Sequence, residues 1–409
     1  MALGSTPIHF NQALKFRVVI QPRKISCKDM RLQKKGISAL LSKINSRIAL
    51  TTDMWTSSNQ RKGYMAVITH FINNGWKLQS RTLRFLYASA PHTAEVLTEH
   101  LKECIHSWNI DIRLSSITVD NCTTNDSMID IFLQEFPYGS LMLHERFLHM
   151  RCCAHILNLI VQDGLSAMIK NGLDRTRDSV AFWTASDKRN QNFEQVVPEC
   201  TKKVQLDYKT RWNSTYDMLM IALNYKEVYV VLSGRESLFK NPPLNEDWEK
   251  VEKIYELLEV FNYITLVFSA SKYPTANNYF PCICGLRIVM SNWLSLPCDY
   301  IRKMVLVMLE KYNKYWADVN GLMGVATILD LRYLKTGNIP LVNDFDILNW
   351  WNTNGNSFPT LQQIAKDILS ISVSTVPSES AFSTNGRVIG PYRSRLLPEM
   401  IEALMCAHN

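Results

Sequence analysis

The amino-acid sequence predicts an α/β chain: a mixed sheet that begins antiparallel, continues through helical crossovers and is interrupted by an all-α insertion. Three observations lead there. Residues 47–86 hold three strand-like runs, the second and third joined by the hairpin turn Asn73-Asn74-Gly75. Residues 92–165 alternate helical and strand-like periodicity, as strands linked by crossovers do. Residues 166–344 keep helical periodicity almost throughout.

Length and composition set the frame. The 409 residues allow one large domain with insertions or two to three smaller ones. A hydrophobic fraction of 46% supports a sizeable core, and the net charge of +8 favours an anionic partner, nucleic acid first. The ten cysteines follow no regular framework and the start does not read as a signal peptide, so reduced thiols in the cytosol or nucleus are expected. No apolar run reaches membrane-spanning length.

Taken in order, residues 1–46 form a basic segment with Arg23, Lys24, Lys28, Arg31, Lys34 and Lys35, followed by Ile37, Leu40, Leu41 and Ile44 at helical spacing. The basic run suits phosphate contact or nuclear import; a solvated helix face accounts for it equally well. The first half of the core spans residues 47–165. Ile48, Ala49 and Leu50 suit a buried strand, with Asp53 where that strand emerges. Lys62–Phe71 and Trp76–Leu86 give the next two strands, and His92–Trp108 an amphipathic helix. Ser115-Ser-Ile-Thr-Val-Asp120 is a second β-rich run that stops on an aspartate. A helix over 125–135, a strand within 147–155 and a helix Ile156–Leu165 complete this half.

Three strands, helix, strand, helix, strand, helix is a ribonuclease H-like order. There the first and fourth strands are neighbours, so Asp53 and Asp120 meet across the sheet. Paired carboxylates on a rigid platform suggest a divalent-metal site for phosphoryl transfer. The alternative is that each Asp merely ends its strand and caps the next element.

Residues 166–344 read as a mostly helical insertion, with Trp248–Phe268 and Ile301–Tyr315 as its clearest helices and a loop over 335–344. The C-terminal part, 345–409, holds Leu348-Asn-Trp-Trp-Asn352, a helix Phe358–Leu369 and a closing helix Pro398–Ala407. Between them, Pro377 suits the first turn of another helix, with Ser374 or Thr375 as its cap. Glu379 lies in that turn, where on residue type alone it serves the helix dipole.

With these segments in place, the chain resembles the hAT (hobo/Activator/Tam3) transposases, and within them a plant lineage of the Ricesleeper and Daysleeper kind. The resemblance rests on six motifs in order. They are Leu50-Thr-Thr-Asp-Met-Trp-Thr-Ser57, Thr118-Val-Asp-Asn-Cys-Thr-Thr-Asn-Asp126 and Arg151-Cys-Cys-Ala-His-Ile-Leu-Asn158, then Thr210-Arg-Trp-Asn-Ser-Thr215, Tyr273-Pro-Thr-Ala276 and Pro377-Ser-Glu-Ser-Ala-Phe-Ser383. It implies DNA transposition on a ribonuclease H-like core split by an all-α insertion. It also implies that Asp53, Asp120 and Glu379 are catalytic carboxylates holding two Mg2+ or Mn2+ ions, with no zinc. By the same resemblance Cys152 and His155 lie near the scissile phosphate, His155 contacting it; a buried Cys with a hydrogen-bonded His is the alternative. Trp212 matches a tryptophan that stacks on a flipped base, or is a core residue, and Arg211 contacts phosphate or is a surface charge. The C-terminal part resembles a hAT dimerisation region, with Trp350, Trp351, Phe382, Leu396, Leu397, Ile401 and Leu404 available for a partner or for the protomer's own core.

Three departures accompany the resemblance. No paired Cys-x-x-Cys and His-x-His set of a BED zinc finger stands near the start. The family's Asp-Pro-Arg-Tyr-Lys appears as Asp330-Leu-Arg-Tyr-Leu334, with a shortened segment after it, and the chain stops at Asn409. The expectation is a transposase-derived nuclear protein, domesticated or truncated, that binds DNA and forms homo-oligomers through its C-terminal part. The alternative is a working metal-dependent transposase.

Overall fold

The computed structural model describes residues 27–56, 62–136, 141–168, 173–197, 202–208, 210–317, 321–334, 345–388 and 398–406. Helix α1 (Cys27–Lys43) leads into β1 (Ile48–Thr56), β2 (Gly63–Ile72) and β3 (Leu78–Ala88). Then come α2 (Ala94–Ser107), β4 (Leu114–Val119), α3 (Thr123–Glu135), β5 (His149–Arg151) and α4 (Cys153–Ala167). Among the described residues the strands form one sheet in the order β3-β2-β1-β4-β5. β1 pairs antiparallel with β2 and parallel with β4, so the sheet is mixed, as the element order predicts.

Alternation along the strands assigns the two faces. Ile48, Leu50, Met65, Val67, Ile117 and Val119 pack with Leu97, Leu101, Met128 and Phe132 of α2 and α3. Ala49 and Ile72 belong to the opposite face, whose core continues into the helical stretch. Thr51 and Asp53 follow Ala49 at two-residue steps and share its face.

The helical stretch runs through α5 (Leu173–Thr184), α6 (Asp187–Val196), α7 (Trp212–Asn224), α8 (Lys226–Arg235), α9 (Asn245–Phe268) and α10 (Ala276–Trp293). It ends with α11 (Asp299–Trp316), α12 (Gly321–Ile328) and α13 (Leu331–Leu334). Its apolar periodicity is spent on one continuous core that also takes in Met150 and the buried face of α4. Gly164 of α4 permits the close approach of α11: a β-carbon there would stand 2.5 Å from Met308 Cγ. The C-terminal part adds α14 (Ile347–Asn354), α15 (Pro359–Leu369), α16 (Val376–Val388) and α17 (Pro398–Cys406).

Three boundaries differ from the sequence reading. β1 runs three residues past Asp53, because β2 keeps pairing with it as far as Thr56↔Gly63. α4 begins at Cys153, ahead of Ile156. Trp76 belongs to the β2–β3 turn, with φ 56°, and its N–H donates to Asn73 O at 3.0 Å. The expected loop 335–344 and the basic residues Arg23 and Lys24 lie outside the described residues.

Candidate active site

The parallel register places the two aspartates. Thr51 of β1 pairs with Thr118 of β4, and Asp53 and Asp120 each stand two residues later on their own strands' chains. Neighbouring strands lie about 4.8 Å apart, so the two carboxylates leave one sheet face side by side. Asp120 stands just after β4, held at Oδ1 by Cys122 N–H at 3.2 Å and Asn125 Nδ2 at 2.5 Å. Asp53 Oδ1 accepts from Met54 N–H at 2.8 Å.

Glu379 reaches this site by a series of tertiary hydrogen bonds rather than by local sequence. Thr118 Oγ1 donates to Ser372 O at 2.7 Å, and Cys153 N–H to Val373 O at 2.9 Å. Val373 N–H donates to Thr275 Oγ1 at 3.3 Å, and Ser374 Oγ to Phe268 O at 2.8 Å. The segment entering α16 is thereby laid along β4 and the start of α4. Thr375 O accepts from the N–H of Ser378 and of Glu379, as a helix N-cap residue's carbonyl does.

Asp120 and Glu379 both lie within electrostatic reach of Asp53. The Asp53 carboxyl is pushed up from 3.8 to about 7, chiefly by burial, then by the charge of Asp120, with Glu379 adding to it and the Met54 N–H opposing. Among the described residues no three His, Cys, Asp or Glu side chains form a ready metal-binding group. The donor set nevertheless fits a hard divalent cation, which takes carboxylate oxygens and would offset the burial and carboxylate repulsion that raise the Asp53 pKa.

The remaining expected site residues fall differently. Cys152 is 0% exposed, so it touches no DNA in this conformation. Its sulfur accepts from Thr375 N–H and Thr375 Oγ1, both at 3.3 Å, and from the His155 N–H, while burial pushes the thiol pKa up. Cys152 thus anchors the start of α16. We expect Cys152→Ala to destabilise the protein by about 1–3 kcal/mol, because it leaves the buried Thr375 N–H without its acceptor. Urea unfolding checks this, and Cys152→Ser, which keeps an acceptor, should lose less.

His155 is half-buried on the first turn of α4, and Arg211 is exposed at the start of α7. Trp212 is 1% exposed and packs edge-on against Phe261 of α9 at 6.3 Å. The stacking expectation for Trp212 is corrected: its ring faces are covered by the helical core, so no base can lie on them here.

The C-terminal apolar residues mostly complete the protomer. Phe382, 5% exposed, stacks on Trp55 at 5.9 Å and meets Phe85 of β3. Ile401 is fully buried in the same cluster with Tyr64 and Met405. Trp351 is 4% exposed and donates its indole N–H to Leu329 O at 3.0 Å. As partner contacts, Phe382, Ile401 and Trp351 are therefore corrected: their surfaces are already covered within one chain. Trp350 and Leu404 are half-buried, and Leu396 and Leu397 lie outside the described residues.

Thr51 and Ser378 lie within two of the motifs that carry the resemblance but are not singled out, and His70 lies outside all six. His70 and Thr51 sit in runs that read simply as buried strands; a lone histidine there is the one available signal.

A ribonuclease H-like sheet with aspartates on adjacent parallel strands, and a distant glutamate across a helical stretch, is similar to a transposase-type core. The chain is hAT transposase-like. Residues 51–146 match a family model described as the ZBED1 RNase-like domain and 150–257 the ZBED1 RNase-like helical domain. Residues 277–337 match the hAT-like transposase, RNase-H fold, and 331–409 the hAT family C-terminal dimerisation region. Among curated relatives, a putative AC transposase of Zea mays is 29% identical over 92% of this chain and 58% of its own length. The BED zinc-finger protein RICESLEEPER 2 of Oryza sativa subsp. japonica is 28% identical over 92% of this chain and 66% of its own. DAYSLEEPER of Arabidopsis thaliana is 25% identical, again over 92% of this chain and 65% of its own. The chain spans less than two thirds of the length of each of these relatives.

Proposed function

We propose that this chain acts on DNA in the nucleus, as a homo-oligomer, and that Asp53, Asp120 and Glu379 hold Mg2+ or Mn2+ for strand cleavage. The observation that carries the reading is the Thr51↔Thr118 register, which sets Asp53 and Asp120 on adjacent chains, with Glu379 near enough to add to the rise of the Asp53 carboxyl. A bound pair of divalent ions supplies activation of the attacking oxygen and stabilisation of the leaving one. Asp120, fixed by Asn125 and the Cys122 N–H, would present a rigid carboxylate to the ions, Asp53 would ionise to hold them, and Glu379 would add its carboxylate from α16. The net charge of +8 and exposed Arg211 suit a phosphate backbone. Oligomerisation is supported by the dimerisation-region match and by the exposed Phe358, Leu361 and Met400 within it.

A second reading keeps DNA binding and oligomerisation without cleavage, as in a domesticated transposase. It is favoured by the names of the RICESLEEPER and DAYSLEEPER relatives, which speak of a BED zinc finger and not of transposition. Incubating the whole chain with supercoiled plasmid and Mn2+ separates the two. Nicking that EDTA abolishes is expected on the first reading. Intact plasmid, with duplex binding that weakens steeply as salt rises, leaves the second. Absence of binding at low salt removes both.

A further inference from the structure

A buried hydrogen-bond chain, separate from the three carboxylates, ends beside Glu379. It begins at Ser80 of β3, whose Oγ lies 2.9 Å from His70 Nδ1. His70, in β2, is 3% exposed, and its Nε2 lies 3.0 Å from Thr51 Oγ1. Thr51 is fully buried and accepts from Ser378 Oγ at 3.1 Å. Ser378 is fully buried as well and directly precedes Glu379. The chain thus crosses three strands and joins the strand of Asp53 to the turn of Glu379.

The donor order is consistent along its whole length. Ser378 donates to Thr51, so the Thr51 hydroxyl proton is left for His70 Nε2. His70 then carries its proton on Nδ1 and donates it to Ser80. That order needs a neutral imidazole with one donor and one acceptor nitrogen, and burial keeps the ring neutral by lowering its pKa to about 4. An aliphatic side chain would pack in the same strand but would leave Thr51 and Ser378 without a fixed direction.

We propose that His70 is a positioning residue: through Thr51 and Ser378 it fixes the Glu379 turn against the Asp53 strand and so sets the site's affinity for its divalent cation. This rests on the metal-site reading above. Residues that orient metal ligands from behind typically change metal affinity 10–100-fold when altered, whereas a purely packing role would lower stability and leave the cation titration in place.

The test uses the whole chain and two readouts. The first is the Mn2+ concentration giving half of the maximal thermal stabilisation. His70→Leu and Ser378→Ala should each raise it by about 10-fold or more. The double variant should go little further than the larger single effect, because both break one chain. His70→Gln, which returns a polar atom near Nε2, should recover most of the loss. An unchanged Mn2+ titration in folded His70→Leu, or effects that simply multiply in the double variant, would overturn the proposal.

The second readout is hydrogen exchange of the Ser378 and Glu379 amides in metal-free protein. Both should exchange faster in His70→Leu, with β4 amides unchanged. If wild type shows no Mn2+ stabilisation, the metal-site reading falls, and this exchange measurement alone decides whether His70 fixes the turn. Should His70→Leu not fold, Ser80→Ala, which removes the half-buried outer link, takes its place in both measurements. Unaltered exchange there overturns the proposal.

Discussion

Asp120→Asn should cut metal-dependent plasmid nicking by about 10²–10⁴-fold, and Glu379→Gln should do the same. Such losses correspond to the several kcal/mol that metal-held charge contributes to a phosphoryl-transfer transition state. Both substitutions are nearly isosteric. Asn keeps a carbonyl oxygen to accept from Cys122 N–H and Asn125 Nδ2, which now hold Asp120 Oδ1. Gln keeps one beside Thr375 Oγ1, which lies 3.5 Å from Glu379 Oε1. The variants should therefore fold and bind duplex DNA as wild type does, with only cleavage lost. Timed gel analysis of nicked product, beside a binding isotherm for each variant, makes the comparison. Nicking that persists in Asp120→Asn at the wild-type rate would detach the activity from these carboxylates.

The sheet was legible because its strands advertise themselves. Ile48–Leu50, Lys62–Phe71 and Ile117–Val119 are apolar or β-branched runs, and their order around intervening helices leaves few topologies. The run read as stopping on Asp120 ends one residue earlier, at Val119, with Asp120 directly after β4. Asp53 was placed at a strand end, yet it lies within β1: the parallel pairing with β4 stops at Thr51, while the antiparallel pairing with β2 continues. A strand with two partners of different length has two ends, and periodicity cannot say which one matters.

Glu379 was not legible from residue chemistry. A glutamate in a first helical turn is ordinary, and what brings it toward the aspartates is a set of hydrogen bonds linking residues 372–374 with Thr118, Cys153, Thr275 and Phe268. Those partners are scattered through the chain, and only the resemblance connected them. The aromatic residues failed for a related reason. Whether Trp212 or Phe382 offers a face to solvent depends on what packs against it, and here Phe261 and Trp55 do. The sequence shows the ring but not its cover.

In metal-free protein the contribution of Asp53 to stability should fall as pH rises from about 4 to about 7, and Asp53→Asn should remove that dependence. Burial, with Asp120 and Glu379 nearby, lifts this carboxyl from 3.8 to about 7. The native state therefore holds the proton more tightly than the unfolded chain does. The resulting stability is complete below the unfolded value, shrinks as pH rises through the interval, and is gone above about 7. A shift of this size corresponds to at most roughly 4 kcal/mol. His70 acts in the opposite sense. Its pKa is lowered to about 4, so its contribution is present above 6.5 and is lost as pH falls toward 4. Subtracting the Asp53→Asn profile from the wild-type profile removes the His70 part, which both proteins share. Asn does not ionise, so the variant should melt higher than wild type at pH 8 in EDTA and at nearly the same temperature below pH 4. Excess Mg2+ at pH 8 should raise wild type, because a cation that binds only the native state stabilises it by mass action. It should raise Asp53→Asn far less. Calorimetry at pH 4, 6 and 8, with EDTA and then with Mg2+, gives all the values needed. Equal Mg2+ shifts in the two proteins would place the cation away from Asp53, and parallel pH profiles would mean that Asp53 is ionised at ordinary carboxylate pH. In either case the crowding of Asp53 in β1, Asp120 just after β4 and Glu379 in the first turn of α16 would no longer be what the site is built on.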